Sequence, residues 1–265
     1  LDCMRMIEIK NLSKEYSSVI GVKAIELKNI SFILLDGKIT SIIAPTGSGK
    51  SVLLKIISGL EEQSSGDIEN PANEKIIYIP SEPSSFTWLN VHENVKFGLY
   101  KWDEKQIKEL INLVGLEGYE KFYPDNKSLG FRFRIALARS LANNPSAILL
   151  DEPFNKMDVQ TKHEIYSLIR EVSKVRNATF LLATSNLTEA LFLSDKIYLM
   201  KENPAEIISD LDVDLPSERN HAIYSSDKFN LLRTQIENSF NRVESKKLFS
   251  SNQKNGWPRN QGLTK

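Results

Sequence analysis

The octapeptide 44-APTGSGKS-51 sets two glycines, a lysine and a serine between an apolar run and the helical pattern 52-VLLKIISGL-60. Those residue types in that order suit an anion. Gly47 and Gly49 lack a Cβ, so the backbone can curl into a nest of N–H groups. The helix that follows turns its positive end toward the same spot. Lys50 can reach the β- and γ-phosphates of a nucleotide, and the Ser51 hydroxyl can ligate Mg²⁺. Thr46, Ser48 and Val52 complete the stretch expected to touch phosphate. The strict pattern begins with glycine, where this chain has Ala44; alanine fits if its φ is negative. The plain alternative is a Gly-Ser connector between a strand and a helix. Far downstream, 147-AILLDEP-153 ends a buried-looking run in two acids. A strand ending in Asp places its carboxylate at the carboxyl edge of the sheet, where open α/β sheets bind ligands. Asp151 then suits Mg²⁺, directly or through water. Glu152 points to the other side and can orient or deprotonate an attacking water. Alone, such acids are often helix caps; behind a phosphate loop they gain meaning.

The elements that must position these groups are legible as apolar runs. Short Ile-rich runs recur at 7-IEI-9, 39-ITSIIA-44, 76-IIYI-79, 147-AILL-150, 179-TFLLA-183 and 197-IYLM-200. Runs without alternation suit strands buried on both faces. Between them Ile107, Leu110, Ile111 and Val114 keep helical spacing, as do Ile165, Leu168, Ile169 and Val172. Strands alternating with helices predict an α/β fold with a mainly parallel sheet. Residues 84–145 carry helical patterns without a buried strand and read as a helical insert. Gly59 is the expected C-cap of the helix after the phosphate loop. After Leu215, 216-PSERN-220 reads as a loop and 227-DKFNLLRTQIENSF-240 as a helix. The last 25 residues hold six Lys/Arg and one Glu and read as a basic, loosely ordered tail.

Composition narrows the function classes. A chain of 265 residues, 41% hydrophobic and 26% charged, can bury a full core without disulfides or metal. Lys+Arg equals Asp+Glu at 34 each, so no basic field invites nucleic acid. The single cysteine, Cys3, can form no internal disulfide and is read as incidental. No apolar run approaches the ~18 residues of a membrane span, and no signal peptide is recognisable. The expected location is cytoplasmic, with Met4 or Met6 near the natural start.

The motif order resembles the nucleotide-binding subunit of ATP-binding cassette (ABC) transporters, from about Ile7 to residue 215. Tyr16, in 12-LSKEY-16, matches the aromatic that stacks on adenine there. The stretch 123-YPDNKSLGFRFRIALARSLANNP-145 resembles the signature region LSGGQ and its helix, with Ser128 and Gly130 at fitting positions. Asp158, in 154-FNKMD-158, aligns with the acid at the dimer interface. The strings 86-FTWLNVHENVKFGL-99, 188-TEALFLSDKI-197 and 206-EIISDLDVDLP-216 look most like importers of the nitrate, sulfonate and taurine group. The resemblance implies a P-loop NTPase domain over 4–215, with an antiparallel N-terminal β subdomain and the helical subdomain inserted, followed by 216–265 as helix and tail. It implies ATP and Mg²⁺ as cofactors, Glu152 as the catalytic carboxylate, and Ser51 and Asp151 at the metal. It implies a second nucleotide-binding subunit (this chain or an intact paralogue), a transmembrane permease and, indirectly, a periplasmic or extracellular solute-binding protein. Such a subunit sits on the inner face of the cell membrane.

Five positions depart from that pattern. Ser81 stands for the usual Gln of the hinge loop and Ser185 for the switch His. Leu129 and Lys127 stand where the signature usually has Gly and an apolar residue, and Val52 replaces a second hydroxyl. Removing one oriented donor of this kind costs about 2.7–4 kcal/mol of barrier. The parts that bind nucleotide are intact, so ATP binding is expected more firmly than rapid hydrolysis. A second reading is therefore a regulatory subunit that clamps ATP and scarcely hydrolyses it. A third, a cassette acting on translation or DNA, is disfavoured by neutral charge and a single cassette.

Overall fold

The computed structural model describes residues 6–17, 23–71, 73–83, 85–125 and 127–254, with backbone alone for Lys23 and beyond Asn241. Cys3, Met4 and Trp257 lie outside the described residues. In chain order the elements begin β1 (Met6–Ser17), β2 (Lys23–Leu35), β3 (Ile39–Ile43), α1 (Lys50–Ile57), β4 (Ser65–Glu69) and β5 (Ile76–Ile79). The insert supplies α2 (Val91–Lys96), α3 (Glu104–Leu113) and α4 (Leu129–Ala142). Then come β6 (Ala147–Asp151), α5 (Val159–Arg176), β7 (Phe180–Thr184), α6 (Leu187–Leu193), β8 (Lys196–Lys201), β9 (Glu206–Asp212), a 3₁₀ turn at His221–Ser225 and α7 (Asp227–Lys254).

Two sheets form. The larger has the order β5-β6-β7-β3-β8-β9 and is parallel except for β9, which runs antiparallel to β8. Its central strands β3, β6 and β7 are buried at every position, as unalternating Ile/Leu runs require when helices cover both faces. The smaller sheet, β2-β1-β4, is antiparallel. Here the structure corrects one expectation. The run 7-IEI-9 is not a strand buried on both faces: Ile7 and Ile9 face the core opposite Leu34 and Phe32, and Glu8 turns outward. A Glu between two Ile is a period-two pattern, which a half-buried strand satisfies. Strands β2, β4 and β9 have no matching run in the sequence reading; all three belong to antiparallel pairs, where alternation replaces continuous hydrophobicity.

Helix α1 buries Leu53, Leu54, Ile56 and Ile57 in a core shared by both sheets. It ends at Gly59 (φ +74), whose N–H bonds to Ile56 O while Leu60 N–H bonds to Lys55 O, the paired closure that a left-handed residue permits. The insert packs its Ile107, Leu110, Ile111 and Phe133 onto Phe154, Ile165 and Ile169 of the main domain. Asn94, fully buried, donates to the carbonyls of Phe86, Leu89 and Asn90 and accepts from Phe86 N–H, fixing the lead into α2.

The C-terminal segment is docked. Phe229, Leu232 and Ile236 of α7 bury against α6 and β8. Arg219, buried in the expected loop 216–220, donates to the carbonyls of Leu191, Phe192 and Ser194 and so caps the end of α6. Helix α7 runs past Phe240, its expected end, to Lys254. The first helix breakers downstream are Gly256 and Pro258, so nothing in the sequence stops it sooner. His163 of α5 lies tilted against His221 with centroids 3.9 Å apart, among Tyr166, Phe192 and Tyr224; burial first, and then the Glu189 carboxylate, push the phenols of Tyr166 and Tyr224 up. Burial first, and then His221, hold His163 below the ordinary histidine value. The unfolded chain therefore takes up more protons here than the fold does, so stability falls as pH drops through about 6.5. Thermal melts between about pH 7.5 and 5.5 should show that fall, and His163→Gln should flatten it; an unchanged slope would remove this pair as its source.

Candidate phosphate and metal site

The loop between β3 and α1 adopts the curled form expected of it. Gly47 (φ +80) and Gly49 (φ +85) occupy the left-handed region. A Cβ on Gly49 would also come within 3.0 Å of Glu26 and Leu27 side-chain atoms. Ala44 is not among the residues of positive φ, so alanine is tolerated at the first position. The loop opens into a cavity of about 390 Å³ lined by Thr46, Gly47, Ser48, Gly49, Lys50, Ser51 and Val52, and by Asp151 and Glu152 from the end of β6. The sheet brings these together: β6 and β3 flank β7, and all three point their carboxyl ends at one edge.

Inside it, Lys50 is only 4% exposed. Its ammonium donates to Ala44 O (2.9 Å) and Pro45 O (2.7 Å) and pairs with Glu152 Oε1 at 3.0 Å. The other Glu152 oxygen accepts from Asn155 Nδ2. Glu152 itself sits at φ +43, a strained conformation for a non-glycine that costs on the order of 1–3 kcal/mol. Asp151 is buried; its Oδ2 accepts from the Tyr78 hydroxyl at 2.7 Å, and its Oδ1 has no hydrogen-bond partner among the described residues. Ser48 Oγ is likewise buried and unpartnered. A buried carboxylate oxygen left bare is costly unless a ligand completes it. With the exposed Ser51 hydroxyl on the same cavity, these hard oxygens fit Mg²⁺.

Three site residues expected from the sequence lie elsewhere. Tyr16, on β1 opposite Ala24, does not line this cavity; its hydroxyl donates to Glu61, whose carboxylate pushes the phenol up to about 12, and Lys14 Nζ lies 5.0 Å from its ring centre. Ser128 is the N-cap of α4 and accepts from Phe131 N–H at 3.2 Å. Gly130 is buried against α5, where an added Cβ would meet Thr161 Cγ2 at 2.5 Å. The unusual Lys127 rests over the rings of Phe122 and Phe131, and Leu129 packs on the insert's core. Of the two unusual serines, Ser81 lines the cavity and Ser185 does not. Sequence reasoning missed Tyr78, Glu26, Asn155 and Lys156. A lone Tyr in the run 76-IIYI-79 was the one available sign of the first.

An α/β cassette with a glycine-lined phosphate loop and two strand-end carboxylates is a P-loop nucleotide-binding domain. The family model described as ABC transporter matches residues 27–155. An aliphatic sulfonates import ATP-binding protein SsuB of Bacillus thuringiensis subsp. konkukian is 34% identical, aligned over 88% of this chain and 95% of its own length. Its namesake in Bacillus subtilis strain 168 is 31% identical over 84% and 90%. Among solved structures, the dimeric MJ0796, a bacterial ABC transporter cassette, superposes over 79% of this chain and all of its own, with 26% identity and a TM-score of 0.67. The cbiO1 protein of Clostridium perfringens matches with 25% identity and a TM-score of 0.69, over 79% of this chain and 89% of its own. The chain belongs to the ATP-binding proteins of the ABC transporter family.

The Tyr78 hydroxyl anchors Asp151 Oδ2 and leaves Oδ1 without a partner among the described residues. Tyr78→Phe should raise the Mg²⁺ concentration needed for half-maximal nucleotide binding about 10- to 100-fold, the range for losing a partner behind a metal ligand. Binding measured without Mg²⁺ should barely change; an unaltered Mg²⁺ requirement would deny Tyr78 this role.

Proposed function

We propose that this chain is the energy-coupling ATPase subunit of an importer, with small organic sulfonates as the solute class. The observation that carries the nucleotide chemistry is the convergence of a buried Lys50, a bare Asp151 oxygen and Glu152 on one glycine-lined cavity. The solute class rests on the names of the relatives. In this reading Lys50 and the loop N–H groups hold the phosphates, Ser51 and Asp151 hold Mg²⁺, and Tyr16 meets the adenine. Bound Mg²⁺ would supply positive charge against the phosphate oxygens. Glu152 accepts a proton from, or aligns, the attacking water once Lys50 turns to phosphate and frees one carboxylate oxygen. Ser128 and Gly130 would face the nucleotide of a second nucleotide-binding subunit, and the insert would transmit closure to a transmembrane permease fed by a solute-binding protein. No described helix is long and apolar enough to cross a membrane, which fits a subunit docked on the cytoplasmic face. The regulatory reading is not favoured: the likeness to import ATP-binding proteins spans nearly their whole length.

Two measurements test this. Glu152→Gln should lower Mg²⁺-dependent ATP turnover at least ~100-fold with nucleotide affinity retained, whereas Lys50→Ala should lose both; turnover indifferent to Glu152 would overturn its role. Ser185→His returns the longer donor that the family resemblance implies at this position, so turnover should rise by roughly 10²-fold or more if the missing imidazole limits the rate. No gain would place the slow step elsewhere.

A further inference from the structure

The phosphate cavity holds a second lysine that none of its motifs accounts for. Lys156 lies in 154-FNKMD-158, between β6 and α5, and lines the cavity together with Lys50. Among the described residues these two are the only cations on its wall, against the acids Glu26, Asp151 and Glu152. Lys50 is already committed to two carbonyls and Glu152. A nucleoside triphosphate would bring several more negative charges into this balance.

Lys156 is free to answer them. Its side chain is 68% exposed, and its ammonium pairs with Glu82, next to Ser81 on the loop after β5. Glu82 does not line the cavity, so the pair parks the ammonium at the rim. An exposed pair of this kind is worth about 0–1 kcal/mol, whereas an ammonium on phosphate makes a stronger, charge-assisted contact. Lys156 first, and Arg132 of α4 more weakly, hold the Glu82 carboxyl below the usual range. Glu82 is itself 65% exposed, so water can solvate its carboxylate when Lys156 leaves. The vacancy Lys156 would fill is also visible: Ser81 on the cavity wall is short, and Ser185 lies off it.

We infer that Lys156 exchanges Glu82 for the terminal phosphate of the bound nucleotide and so makes this site prefer a triphosphate over a diphosphate. The inference rests on the cavity being the nucleotide site. Because Glu82 competes with phosphate for the same ammonium, the two residues act with opposite sign. Lys156→Ala should weaken binding of a non-hydrolysable ATP analogue about five- to tenfold, the size of one partly exposed charge contact, with ADP affinity unchanged. Lys156→Arg should keep the preference. Glu82→Gln should tighten the analogue about two- to fivefold, and the gain should vanish when combined with Lys156→Ala.

Isothermal titration of the full chain with each nucleotide and Mg²⁺ reads all of this, with circular dichroism melts to verify folding of these surface variants. Equal losses for ATP analogue and ADP in Lys156→Ala, no loss for either, or a Glu82→Gln gain that persists without Lys156 would each overturn the exchange. Lys50→Ala separates the two levels. If it abolishes both affinities and Lys156→Ala changes nothing, the site stands and the exchange fails. If Lys50→Ala changes neither affinity, the site itself is misplaced.

Discussion

A buried ammonium is the constraint around which this cassette is built. Lys50 is shielded from water almost completely, and a desolvated charge persists only when partners surround it. Two of its partners are carbonyls of its own loop, which is why that loop must curl and why Gly47 and Gly49 take left-handed φ values. The third is Glu152, carried by a different strand. The ammonium therefore ties the end of β3 to the end of β6 across β7, and the carboxyl edge of the sheet becomes one electrostatic unit. Helix α1 fixes the other end of the tie, because its apolar side is gripped between two sheets.

The carboxylates of that unit are held unequally. Glu152 has both oxygens occupied, one by Lys50 and one by Asn155, and its backbone is strained. Asp151 has one oxygen anchored by Tyr78 and one bare. In the function proposed, phosphate drawing Lys50 away would release a Glu152 oxygen toward water, while a cation would complete the Asp151 oxygen that has no partner. On that proposal, binding and activation would be the same rearrangement, with the strain at Glu152 held at the site that uses it.

The departures from the family pattern divide once the side chains are placed. Lys127 and Leu129 are each explained within the chain, as a cation on two aromatic rings and a side chain on the insert's core; Gly130, which keeps the pattern, meets Thr161 too closely for any Cβ. Ser81 and Ser185 have no such compensation.

Legibility in the sequence followed the same physics. The central strands, the long amphipathic helices and the phosphate loop were readable because each is a local pattern: continuous apolar runs, a 3.6 period, glycines before a lysine. Antiparallel strands β2, β4 and β9 were not, since half-buried alternation is diluted by bulges such as those between Ile9 and Glu15. Tyr78, Asn155 and Lys156 were invisible for another reason. Each matters through a partner supplied by another segment or by a sharp turn of the chain, and only the parallel register of β5, β6 and β7 brings those segments to one edge. Motifs record what a nucleotide demands of the backbone; the residues that tune charge around it are set by neighbours in space, so the loops after β5 and β6 are where this chain can differ most from its relatives while keeping the same cradle.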